Sequence, residues 1–181
     1  MQKSWRIDGD KLTFIVCLPI DGAEDGPIQS HIHDSSDRMI GDVNLFIVED
    51  DVDDETTSPP LVGEVEIMIA RKDLHRSGYG RSTLLTFLWY VVSNLGSITE
   101  EYHASRGRPT GHIEHLRAKI GSENTRSLSL FERVGFAKAS EKPNYFGEYE
   151  LRMAVTDDLL DGLKTVKGFE QPKTLRYQIL S

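Results

Sequence analysis

Between Ile67 and Arg81 the chain reads IMIARKDLHRSGYGR. A β-branched, apolar strand runs into a turn carrying Gly78 and Gly80, and a helical pattern opens at Arg81. Such a turn points consecutive backbone N–H groups outward, and the helix start behind it adds partial positive charge. Arg76 and Arg81 bring full charges to the same place. The chemistry open to this arrangement is anion binding, on a scale that suits a pyrophosphate. A glycine cap or a plain turn is the bland alternative. Upstream, Glu64 and Glu66 fall two residues apart on the strand, so they share a face, while Val65, Ile67 and Ile69 take the other. Like charges so close raise one pKa, which suits a general base. A solvent-facing strand with surface carboxylates would look the same.

Two familiar phosphate loops are excluded. A Walker loop needs Gly-Lys-Ser/Thr, but Gly80 is followed by Arg81 and Ser82. A dinucleotide fingerprint needs a third glycine where this chain has Thr83, and strands alternating with helices. His31, His33, His103, His112 and His115 find no Cys or carboxylate spacing that completes a metal site, so no metal is expected. Cys17 lies among Ile15, Val16 and Leu18 and reads as a buried thiol. Trp5, Trp89 and Tyr90 read as core.

The turn needs elements to hold it. Lys11–Leu18 and Met39–Val48 read as strands, with a Gly/Asp/Ser/His-rich loop from Asp21 to Asp37 between them. An acidic run then places six carboxylates in seven residues, Glu49 to Glu55, before Ser58-Pro59-Pro60. It reads as a solvated loop, or as a surface that steers a basic substrate. Val62–Ala70 is the strand that feeds the turn. Arg81–Leu95 is a helix with an apolar stripe of Leu84, Leu88, Val91, Val92 and Leu95, capped by Gly96. Ser97–Gly111 reads as a polar, irregular insertion. His112–Ile120 is a strand. Asn124–Val134 is a helix with Leu128, Phe131 and Val134 inward, stopped by Gly135. Ala137–Glu141 and Tyr149–Val155 close as an antiparallel pair. The strand–turn–helix–strand unit implies a right-handed crossover in a mostly antiparallel, α+β layout. One domain is expected over residues 1–155, with a tail over 156–181 holding a short helix from Asp157.

The bulk numbers agree with one domain. At 181 residues, 38% hydrophobic and 28% charged, the chain suits a soluble globular protein. No apolar run approaches the ~18 residues that span a bilayer, and the start MQKSWRIDGDK lacks the apolar stretch of a secretory signal. A single cysteine excludes an internal disulfide and points to a reducing compartment, cytoplasmic with the nucleus open. A net charge of −8 argues against nucleic acid as a partner.

The segment His75-Arg76-Ser77-Gly78-Tyr79-Gly80 resembles the acyl-CoA-binding motif of the GNAT superfamily, Gln/Arg-x-x-Gly-x-Gly/Ala between a strand and a helix. A second element of that superfamily is an asparagine opening the next helix, an apolar pattern and Gly-Phe. It is matched by Asn124 through Gly135-Phe136. Met39–Leu45, Glu64–Ala70, Ala118–Asn124 and Ser127–Phe136 are similar to the N-acetyltransferase nine-like branch. The resemblance covers roughly Asp10 to Val155. It implies the GNAT fold, a mixed sheet splayed around CoA, and acetyl transfer from acetyl-CoA to an amine. The branch implies a protein or peptide acceptor, cytoskeletal proteins included.

The resemblance also assigns roles. The N–H groups from Arg76 to Arg81 would hold the pyrophosphate, with His75 in the Gln/Arg position of the motif. Met68, Ile69 and Ala70 would offer backbone groups to the pantetheine arm, and the Ile69 amide would stabilise the developing oxyanion. Asn124 would contact CoA near its reactive end. Phe131 stands where many relatives carry the tyrosine that protonates the leaving thiolate. Glu64 falls where relatives keep the base, with Glu66 as base or amine recogniser. By the same comparison the chain begins at the second strand of the fold, which would leave Lys11–Leu18 as a sheet edge, open or covered by a second copy in a homodimer. Two other readings remain: a non-catalytic protein-binding module, and a small-molecule amine acetyltransferase.

Overall fold

The computed structural model describes residues 8–20, 26–50, 60–107 and 111–180. The elements in chain order are β1 (Lys11–Cys17), β2 (Ile28–Gln29), β3 (Met39–Glu49) and β4 (Leu61–Ile69), then a 3-10 turn at Lys72–Leu74. Next come α1 (Tyr79–Ser93), α2 (Leu95–Arg106), β5 (Ile113–Gly121), α3 (Thr125–Arg133), β6 (Ala137–Lys138), β7 (Glu148–Ala154), α4 (Leu159–Thr165) and β8 (Tyr177–Gln178). Six strands form one sheet in the order β1-β3-β4-β5-β7-β6. Its neighbours are antiparallel except β4 and β5, the pair that α1 and α2 connect. This is the expected α+β crossover.

Strand alternation divides the sheet into two unlike faces. On one, Val43 and Leu45 of β3, Val65 of β4, Leu116 and Ala118 of β5 and Leu151 of β7 are buried. They form a single core with Leu84, Leu88 and Val91 of α1, Ile98 and Tyr102 of α2, Leu128 and Phe131 of α3 and Leu163 of α4. The register puts Asp42, Asn44, Glu64, Glu66, Arg117, Lys119, Glu150 and Arg152 on the other face. The helices thus bury one side of the sheet and leave the other charged.

Several expectations change. The stretch Ser97–Gly111 is not an irregular insertion over its described part. Leu95, Ile98, Thr99 and Tyr102 stand at helical spacing and the last three are buried, so α2 forms beneath a polar exterior. Gly96 therefore lies inside α2, and α1 ends at Asn94, whose amide donates to the Tyr90 carbonyl at 2.8 Å. The helix opens at Tyr79, so Gly80 belongs to its first turn and Gly78 is the N-cap. Tyr90 is not core: it is 36% exposed and packs edge-to-face on Phe14 of β1, ring centroids 5.0 Å apart. The strand from Ala137 stops at Lys138. The tail is joined to the core through Leu163, and β8 pairs in parallel with β2. As expected, β1 lies at the sheet's edge. Trp5 and the acidic run beyond Asp50 lie outside the described residues.

Candidate active site

The parallel pairing of β4 with β5 is short. It runs from Leu61↔Ile113 to Glu64↔Arg117 and then stops. Beyond that point Val65–Ile69 pairs with β3 alone, and Ala118–Gly121 with β7 alone. Two adjacent parallel strands therefore diverge into a V, each with a free edge. Peptide planarity fixes what the β4 edge offers. The Ala70 N–H donates to the Ile40 carbonyl at 2.8 Å, and the Met68 carbonyl also turns to β3, at Gly41. The Ile69 N–H and carbonyl must then point the opposite way, into the V. His75 Nε2 donates to that carbonyl at 2.8 Å, which staples the turn to the strand end and leaves the Ile69 N–H free.

Above the V sits the turn. Arg76 has φ 68° and Gly78 φ 91°, two left-handed residues in three. A non-glycine residue in that conformation costs roughly 1–2 kcal/mol, so the turn is strained at Arg76. The N–H groups of Arg76, Gly78, Tyr79 and Gly80 have no backbone acceptor, as a helix start dictates. Nothing lies within 4 Å of where a side chain on Gly78 would begin, so the turn borders open space there. That space is a cavity of about 840 Å³ lined by Ile67, Met68 and Ile69 of β4, by the turn, and by the first two turns of α3. His75, Arg76, Arg81, Arg126 and Arg133 line it and no carboxylate does. A neighbouring hollow of about 470 Å³ is lined by Lys72, His75, Arg76 and Arg126. In a chain of net charge −8, this is a locally basic surface.

The two nominated carboxylates stand on the charged face, where the V opens, but in unlike surroundings. Glu64 Oε2 accepts from Arg117 Nε at 2.8 Å and lies 3.4 Å from Lys119 Nζ. Arg117 is also held by Asp50 Oδ1 at 3.1 Å. Glu64 is thus bound into an ion-pair network. Glu66, one step nearer the open end, has no such partner. Its side chain is exposed, yet partial desolvation by its neighbours raises its carboxyl pKa above the ordinary value, and the charges of Glu64 and Asp42 raise it further. Asn44, directly across from Glu66, donates to Asp42 Oδ2 at 2.7 Å.

A model of the acetyltransferase (GNAT) domain matches residues 6–137 of the chain. The chain belongs to the GNAT acetyltransferase family. It is 35% identical over 175 residues to the N-acetyltransferase 9-like protein of Schizosaccharomyces pombe, covering 86% of this chain and 76% of that one. It is 35% identical over 157 residues to alpha/beta-tubulin-N-acetyltransferase 9 of Mus musculus, covering 87% of this chain and 53% of that protein. Against several such relatives the chain spans little more than half their length. A domain from Methanocaldococcus jannaschii shares the fold, with a TM-score of 0.51 and 20% identity over 84% of this chain and 72% of that one.

In this GNAT chain the nominated cofactor residues separate into three groups. His75, Arg76, Gly78, Gly80, Arg81, Met68, Ile69 and Asn124 line the cavity. Asn124 Oδ1 caps α3 by accepting from the Ser127 N–H at 3.2 Å, which leaves its amide NH₂ for a ligand. Tyr79 contributes a free N–H, while the side chains of Ser77 and Tyr79 lie outside the lining. Phe131 and Ala70 do not reach the cavity. Phe131 is 2% exposed and packs on Phe136 in the core, where an apolar ring at that helical position belongs. Ala70 spends its N–H on the sheet. Residues not nominated now join: Ile67, and the basic Lys72, Arg126 and Arg133. Arg126 stands two residues after the helix-opening asparagine, a placement the sequence displayed.

Acetyl-CoA, the family's acetyl donor, can be tested against these residues. The free amides of Arg76, Gly78, Tyr79 and Gly80 suit its pyrophosphate, and the buried Nε of Arg81 is a donor without an acceptor. The diverging strands suit an extended chain of amides. The donor set fits. Among the described residues no cluster of His, Cys, Asp and Glu can hold a metal ion, and no helix is long and apolar enough to cross a membrane.

Proposed function

We propose that this chain transfers an acetyl group from acetyl-CoA to an amine of a protein, with Glu66 as the base. The V between β4 and β5, topped by free amides and a basic cavity, carries the reading. Acetyl-CoA supplies a thioester that an uncharged amine can attack. A protein amine is mostly protonated at neutral pH, so a proton acceptor must stand beside the attack. Glu66 meets that need: it is unpaired, accessible to an acceptor, and its basicity is raised by partial desolvation and by Glu64 and Asp42. Glu64 has its oxygen committed to Arg117 and Lys119, and its work is to fix the apex of the V. The Ile69 N–H, turned into the V, serves the oxygen on which negative charge develops. The ammonium first gives a proton to Glu66, which releases it to solvent; the neutral amine then attacks, the C–N bond forms, the C–S bond breaks, the second amine proton passes to Glu66, and the thiolate leaves without a side-chain acid. A thiol resembling cysteine has a pKa near ~8.5, so a buried Phe131 in place of an acid slows this step without forbidding it.

Relatives named for tubulin make tubulin the first acceptor to test and a cytoplasmic setting the natural one. Binding comes first. Acetyl-CoA at ~100 times its dissociation constant should stabilise the chain by about 2.7 kcal/mol and raise its melting point by several degrees. Mass spectrometry of tubulin incubated with the chain and acetyl-CoA then reads the transfer. A well-folded chain whose melting point ignores acetyl-CoA overturns the proposal. Binding without transfer to any protein amine would leave a binding module.

A further inference from the structure

The segment after β7 lies beyond the matched domain, yet it touches the cavity's basic wall. Helix α4 packs on α1, with Leu163 2% exposed in the shared core and Leu159, Val166 and Phe169 packed against it. The chain then turns tightly: the Val166 N–H donates to Leu163 O at 3.1 Å and the Phe169 N–H to Val166 O at 2.9 Å. Gly168, with φ 79°, completes the turn directly against Arg81. A Cβ on Gly168 would stand 3.0 Å from Arg81 Nη1, 3.7 Å from Cζ and 3.9 Å from Nη2. The guanidinium therefore lies close beside the tail at Gly168, where any larger side chain would crowd its Nη1.

Arg81 is the third residue of α1 and lines the cavity. Its Nε is buried without a hydrogen-bond partner, and among the described residues no carboxylate pairs with it. An exposed arginine on a first helical turn would sample many rotamers and lose that freedom when it gripped a phosphate. Here the tail has already removed much of it. We infer that the turn at Val166–Phe169 is a positioning element for the phosphate end of acetyl-CoA, acting through Arg81. This rests on the reading of the cavity as the acetyl-CoA site. The tail then matters for donor affinity although it lies outside the family domain, and Gly168 is required for its missing side chain as well as for its φ.

The experiment is a double-mutant cycle on the full chain, read as the acetyl-CoA dissociation constant by calorimetry. Gly168→Leu should weaken binding about tenfold or more, the loss of one charge-assisted contact. Arg81→Ala should weaken it by a similar factor, and the double variant by no more than the larger single effect. Gly168→Ala, a milder push on a flexible side-chain end, should fall between wild type and Gly168→Leu and keeps the test open if the leucine variant folds poorly. Gly147→Ala controls for backbone strain, since Gly147 has φ 78° with nothing within 4 Å, and should leave the constant unchanged. Wild-type binding by both Gly168 variants, or effects that add to Arg81→Ala, overturns the inference alone. A wild-type chain that does not bind acetyl-CoA overturns the site reading and this inference with it.

Discussion

Replacing Glu66 with Gln, beside the same change at Glu64, separates the two carboxylates. The amide keeps the shape of Glu66 and cannot accept the amine's proton. General-base assistance contributes roughly 10²–10⁴-fold, equal to about 2.7–5.4 kcal/mol of barrier, and Glu66→Gln should lose that in kcat/KM. Acetyl-CoA affinity should stay unchanged, because Glu66 lines no part of the cavity. Glu64→Gln should act on the fold instead. It removes the negative charge that Arg117 and Lys119 face, though an amide oxygen can still accept from Arg117 Nε and Asp50 stays at 3.1 Å, so about 1–3 kcal/mol of stability should go, with a smaller loss of turnover per folded molecule. The pH profile supplies a second axis. Partial desolvation, Glu64 and Asp42 raise the Glu66 pKa, so kcat/KM should climb with pH through a value above the ordinary carboxylate value and then level off. Asp42→Asn removes one of those charges and should move the acid limb to lower pH. The stability sign runs the other way from activity. A carboxyl whose folded pKa is raised favours the fold at low pH and loses that contribution as pH rises through the folded value. Glu66→Gln should therefore be at least as stable as wild type at neutral pH, which separates lost chemistry from lost structure. The assay is thiol release from acetyl-CoA with an acceptor protein, alongside thermal melts. Turnover within threefold of wild type for Glu66→Gln, with collapse for a folded Glu64→Gln, would refute the assignment.

Other residues give independent tests. Gly78→Val has room for its side chain but forces a β-branched residue to φ 91°, so the fold should survive at a cost of about 1–2 kcal/mol while acetyl-CoA no longer shifts the melting point. Gly63→Ala places a Cβ 2.7 Å from Leu116 Cδ2 and 2.9 Å from Leu45 Cδ1, just below the apex of the V. Overpacking of this kind should cost about 1–3 kcal/mol, read as a lower melting point. His115 is 9% exposed with its Nε2 unpartnered, and burial and then Arg152 hold its pKa below the ordinary histidine value. Its contribution to stability is present above about pH 6.5 and lost as pH falls through the lower folded value, so His115→Leu should flatten that decline in melts between neutral and mildly acidic pH.

Much of this was legible before the structure. Periodicity gave the strands around the site, because Val65, Ile67 and Ile69 alternate with Glu64, Glu66 and Met68 in a strand half buried on one side. The glycine turn was legible because only a few backbones use two glycines between a strand and a helix. Helix α2 was not, since its apolar stripe is narrow and its neighbours polar, and a short stripe is hard to tell from a loop. The proposed base was half legible. Spacing put both glutamates on one face, but which is free depends on Arg117 and Lys119, more than 50 residues away and brought alongside by the parallel pairing. Arg126 and Arg133 were visible as charges, but their aim comes from where α3 starts relative to β4.

The division of the sheet into unlike faces accounts for how one chain could serve two charged reactants. Acetyl-CoA is strongly anionic, and its phosphates would meet Arg76, Arg81, Arg126 and Arg133 at the helix ends. A protonated amine is cationic, and it would approach the face of Asp42 and Glu66, whose charges have no counter-ion equal to those Arg117 supplies to Glu64 and Asp50. The strands of the V separate these fields and meet them at one point, the open β4 edge at Ile67 and Ile69. Added salt should therefore weaken the binding of both partners, and a neutral amine should lose less than an ammonium does. Turnover of a basic peptide and of an uncharged amine, compared across a salt series, tests this directly: equal slopes would mean that the acidic face does not take part in acceptor capture.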